Sequence, residues 1–154
     1  MGCIVAAGQP SSDLIVFVGI SLALAVGGVT GLRTFAALAV LRYAHRDWTS
    51  LLAGLALVGE LIADLIPNVP SRTSFGPLIA RCLIGGYCAA VVGAMHGLPP
   101  WAGAVCGVVG AIAGAFAGLK WRVRVAPNIK LHPVVAALLE DALAVGGAIA
   151  AIGL

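Results

Sequence analysis

The 154-residue chain is 61% hydrophobic and only 10% charged, with a mean hydropathy of +1.09. A soluble domain carries about 25% charged residues, so a water-facing globule is excluded, and the length fits a single domain. The net charge of +3 is scattered between apolar runs and aromatics make up 6%, which argues for orientation in a membrane and against nucleic-acid binding.

The N-terminal MGCIVA resembles an acylation signal at Gly2, but Ala6 stands where Ser or Thr is required. No positively charged stretch precedes the first apolar run, so no cleavable signal peptide is expected and that run is read as retained. A membrane-crossing helix needs about 20 apolar residues. Five runs reach or approach that length: 14–41, 48–66, 75–95, 101–119 and 133–154. They are too long for barrel strands of about 10 residues and lack period-2 alternation. The expected fold is an all-α integral membrane protein, one domain over residues 1–154, with about five transmembrane helices.

As one helix, residues 14–41 would extend about 42 Å, against a hydrocarbon core of about 30 Å. Two readings stay open. One is a long tilted helix whose glycines admit a neighbour. The other is a helix broken at GGVTG, where Gly27, Gly28 and Gly31 flank Thr30 just before Arg33. The second run closes on GELIADLIP, with Glu60 and Asp64 one turn apart on a face that continues back through Ala56 and Ala53. Pro67 stops it, and PSRT then brings Arg72. Arg81 lies in the third run. The fourth is uncharged and carries Gly103, Gly107, Gly110, Gly114 and Gly118, a spacing for close helix contact with this chain or another subunit. The fifth carries Glu140 and Asp141 among small residues.

Trp48, Trp101 and Trp121 fall at run ends, as interfacial indoles do. If all five runs span, Arg42 and Arg46 share one face with His45 and His96, which are read as solvated. Arg72, Lys120, Arg122, Arg124 and Lys130 share the other face. The positive-inside rule makes the second face cytoplasmic, giving an inner-membrane protein with its N-terminus inside and its C-terminus outside. GGVTGLRTFAA and CGVVGAIAGAF share a glycine pattern in runs one and four. That match is compatible with an inverted pseudo-repeat of two helices, a linking helix and two more.

An ionised side chain at mid-bilayer costs about 2.5–3.5 kcal/mol, so Arg33, Glu60, Asp64, Arg81, Glu140 and Asp141 form the candidate site. Glu60, Asp64, Glu140 and Asp141 are the ion-ligating or proton-carrying candidates, since carboxylates serve both purposes. Arg33 and Arg81 are their counter-charges, with Arg72 at the exit. Cys3, Cys82, Cys88 and Cys106 form no CxxC pair, so no disulfide framework is expected, and the identity of any metal ion is left unassigned. No HExxH, phosphate cradle or nucleophile–base pair is present, so neither catalysis nor a cofactor is expected. The leading expectation is binding or transport of a small ion by an oligomeric membrane protein. The alternatives are a non-catalytic packing and assembly module, or binding of anionic lipid by Arg72, Arg122 and Arg124.

GLRTF (31–35), ELIADLIP (60–67), PSRTSFGPLIAR (70–81), the glycine stripe and LLEDALA (138–144) occur in that order. Together they resemble the small bacterial and archaeal membrane proteins catalogued as domain of unknown function 4126. Leu65 stands where that family pattern carries a lysine. The resemblance implies a multi-pass membrane protein and draws attention to Arg33, Glu60, Asp64, Arg72, Arg81, Glu140 and Asp141. It implies no activity.

Overall fold

The computed structural model describes residues 12–44, 48–63, 75–125 and 133–153. These residues form α1 (Ser12–Leu32), α2 (Ala36–Ala44), α3 (Thr49–Ala63), α4 (Phe75–Met95), α5 (Pro100–Lys120) and α6 (Pro133–Ile152). A π-helical turn, Trp121–Val125, continues α5. No strand occurs among the described residues. Of the five spans expected, three helices among the described residues are long and apolar enough to cross a membrane, α1, α4 and α5, each of 21 residues. The apolar part of α3, Thr49–Glu60, is shorter. Phe17, Leu51, Leu83 and Trp101 point outward, an arrangement that costs nothing where the surroundings are lipid tails.

The core is a three-helix wedge of α1, α4 and α5, and glycine makes it possible. An added Cβ on Gly110 or Gly114 would fall on the carbonyl oxygens of Leu24 and Gly28 in α1. One on Gly103 would lie 2.7 Å from the Ala89 carbonyl oxygen of α4, and one on Gly107 would meet that of Gly85. The stripe on α5 is therefore used within the chain, with α1 on one side and α4 on the other. Small side chains complete the core, including Ala23, Ala89, Ala111, Ala115, Ala144 and Ala148.

The contacts also set the helix directions. Gly19 faces Leu98, Gly27 faces Gly107, and Leu32 faces Gly118, so α1 and α5 run parallel. Gly19 faces the His96 Cβ while Thr30 faces Gly85, so α4 runs opposite to α1. Gly118 touches both Leu32 and Glu140, and Gly147 faces Val29, so α6 also runs opposite to α1. Between α4 and α5 the chain turns through Gly97, whose φ of 77° lies in the left-handed region open to glycine. The Leu98 N–H bonds back to the Gly93 carbonyl there, and Pro100 opens α5.

The first run is broken, but not at its glycines. α1 continues helically through Gly27, Gly28 and Gly31 to Leu32, and the interruption is Arg33–Thr34–Phe35. Beyond it α2 turns back. Arg81 holds Thr34 and Tyr87 holds Arg42, and those partners lie six residues, about 9 Å, apart along α4. α2 thus runs with α4 and against α1. Two expectations fall with this reversal. Ser12 and Ile152 lie at the same end of the bundle, whereas a first run crossing in one piece would put the termini at opposite ends. An inverted repeat would set runs one and four antiparallel, and α1 and α5 are parallel.

Candidate functional site

A helix interruption frees backbone groups that need partners, and each buried N–H left alone costs about 1–3 kcal/mol. At the α1–α2 turn the Arg33 N–H still bonds to the Val29 carbonyl, closing α1, and the Ala39 N–H to the Phe35 carbonyl opens α2. The Thr34 and Phe35 N–H groups precede that first bond. Both donate to Glu60 of α3, Thr34 to Oε1 at 2.9 Å and Phe35 to Oε2 at 3.1 Å. One carboxylate thus caps α2 from another helix, with its negative charge at the positive end of the α2 dipole.

Two arginines flank the turn. Arg81 of α4, 4% exposed, donates from Nε to Thr34 Oγ1 at 3.3 Å, and its guanidinium lies 4.0 Å from Glu60 Oε1. Arg33, 2% exposed, meets Asp141 Oδ1 of α6 with both Nε and Nη2. Its positive charge sits at the C-terminal end of α1, where a cation is favoured. Glu140, also 2% exposed, is the neighbour of Asp141, and the site of a Cβ on Gly118 lies 3.4 Å from its Oε1. A larger residue at 118 would press on that carboxylate. Five of the six charges expected to share a polar region therefore gather around one turn. Asp64 and Arg72 lie outside the described residues.

The Arg33–Asp141 contact permits a direct test. Single substitutions Arg33→Met and Asp141→Asn, and the double variant, form a cycle whose coupling energy isolates the pair. For two groups in contact the expected coupling is about 1–3 kcal/mol in unfolding free energy measured in detergent. A coupling near zero would mean that the two side chains do not meet.

Three features had no signal in the sequence. The partners of Glu60 are mainly backbone amides, which carry no letter. Arg42, counted there as a loop charge, donates to the Tyr87 hydroxyl at 2.8 Å and lies 5.6 Å from that ring's centroid. Thr30 bonds back to the Gly27 carbonyl at 2.6 Å, so its buried hydroxyl is satisfied within α1. Elsewhere, His96 Nδ1, in the turn after α4, lies 2.9 Å from the Val92 carbonyl oxygen of that helix. His45 lies outside the described residues. Cys82, Cys88 and Cys106 are free thiols, and Cys88 packs in the core as a small hydrophobe. No group of three metal-ligating side chains occurs among the described residues. Lys120 and Arg124 are exposed at the far end of α5, and Arg122 lies in the π-helical turn.

A groove of about 710 Å³ between α2, α3 and α6 is lined by Ala39, Val40, Leu51, Leu55, Val58 and Ile149, among others, and by none of the five charged residues. It is an apolar surface feature separate from the turn. No protein-family model, curated protein or solved structure matches the chain. The functional reading therefore rests on the site itself.

Proposed function

We propose that this chain is a multi-pass inner-membrane protein that binds or moves a small cation or proton at the charged turn between α1 and α2. The observation that supports this reading is the meeting of Glu60, Glu140, Asp141, Arg33 and Arg81 around one interrupted helix. Irregular backbone at membrane depth persists where it is buried in protein or lines a path. Interrupted helices beside ion sites are a recurring transporter device. Three carboxylates and two guanidinium groups gather there among the described residues, and carboxylate oxygens are the groups that ligate hard cations and relay protons. In this reading the arrangement is the closed one, with Glu60 held by Thr34 and Phe35 until it exchanges those bonds for the ion. α3 and α6 join α1, α4 and α5 as the apolar helices held in the bilayer, and kinship with the domain of unknown function 4126 family is part of the same proposal.

Flux into liposomes containing the purified protein tests it. Wild type should carry protons or an alkali cation. Glu60→Gln and Glu140→Gln should lose at least about tenfold of the flux while eluting as folded, monodisperse protein. Unchanged flux in both variants overturns the assignment.

A second reading, a packing and assembly module that does not transport, is favoured by the engagement of both Glu60 oxygens inside the chain. It expects no flux from wild type and only a stability loss in the variants. Gly54, Gly59 and Gly146 have open space where a Cβ would stand, and these small outward positions are where that reading would put a second copy.

A further inference from the structure

We infer that α1 and α2 form an intramembrane hairpin and that both ends of the described chain face away from the basic end of the bundle. The inference rests on the membrane reading proposed above and extends it to topology.

Depth comes first. Arg81, which holds Thr34, is six residues from Phe75, about 9 Å along α4, and fourteen residues from Met95, about 21 Å. In a hydrocarbon core of about 30 Å the turn therefore lies within the third nearest the face where α4 begins. α1 never reaches that face: it arrives from the other side, ends at Leu32 and is carried back by α2. A turn at this depth needs internal partners for its amides, and Glu60 provides them.

Toward the Met95 end, α1, α4 and α5 are in contact at backbone distance through Gly27, Gly107, Gly85 and Gly103, which holds α1 against both long helices.

Orientation follows from charge. Lys120 and Arg124 are exposed at the near end, and Arg72 and Lys130 belong to the segments joining α3 to α4 and α5 to α6. The positive-inside rule makes this end cytoplasmic. Ser12 and Ile152 lie at the opposite end, so between them the chain passes through the layer an even number of times and both residues face out.

Alkaline phosphatase and green fluorescent protein fused in turn to each end of the full chain test this, since the first is active outside the inner membrane and the second fluoresces inside. A cysteine-free variant carrying Ser12→Cys or Arg124→Cys, labelled with an impermeant maleimide on intact cells, gives an independent measurement. Active phosphatase at both ends, with Ser12→Cys labelled and Arg124→Cys protected, is the expected result. Ends on opposite faces, or both ends on the face of Arg124, overturn the hairpin topology. Absence of the protein from carbonate-washed membranes overturns the membrane reading itself, a separate failure.

Discussion

Glu60→Ala should lower the unfolding free energy by about 3–5 kcal/mol, the cost of removing one partner from a buried charged set. Two effects combine. The Thr34 and Phe35 amides lose their acceptors, and the Arg81 guanidinium loses a carboxylate 4.0 Å away. Glu60→Gln should cost less, because its one carbonyl oxygen still accepts from one amide. Glu60→Asp should fall between wild type and alanine, since the shorter side chain cannot span both N–H groups from the same backbone position. Equilibrium unfolding in mild detergent, followed by circular dichroism, ranks the three. An alanine variant within about 1 kcal/mol of wild type, the size of a typical net hydrogen bond, would show that the carboxylate does not hold the turn.

Gly114→Ala should be the most damaging of the glycine-to-alanine changes among the described residues, because its Cβ would land on the Gly28 carbonyl of α1, with the Gly28 Cα 3.1 Å away. Backbone cannot step aside as a side chain can, so the helices must separate and lose contact along the seam. Overpacking of this kind costs about 1–3 kcal/mol, and here the upper end is expected. Gly54→Ala and Gly146→Ala are the matched controls, with nothing within 4 Å of either added Cβ. Each should be neutral or stabilising by up to about 1 kcal/mol, from helix propensity alone. Equal destabilisation of all three variants would contradict the packing of α5 between α1 and α4.

The sequence shows where the helices are because length and apolarity are local properties. The expected runs 75–95, 101–119 and 133–154 match α4, α5 and α6 to within two residues at each end. It also singles out the buried charges, since an ionised group inside an apolar run stands out whatever its partner. The course of the first run was not legible. Gly27, Gly28 and Gly31 read as a weak point, yet they serve contact with α5, and the chain breaks at Arg33–Thr34–Phe35, where there is neither Gly nor Pro. What permits the break is an acceptor 25 and 26 residues away in sequence, and local pattern cannot register that. The same non-local pairing hid Arg42, whose partner Tyr87 lies 45 residues on.

The gathered charges and the shared end of Ser12 and Ile152 both depend on the reversal of the chain after Leu32. A single distance tests it. Phe17 on α1 and Trp101 on α5 are both exposed and can carry spin labels without disturbing the core. Parallel helices place both near the end of the bundle that holds Gly97, so pulsed electron paramagnetic resonance should give a separation well below the length of a 21-residue helix. A distance near that length, about 30 Å or more, would mean that α1 and α5 run in opposite directions and that the first run crosses unbroken.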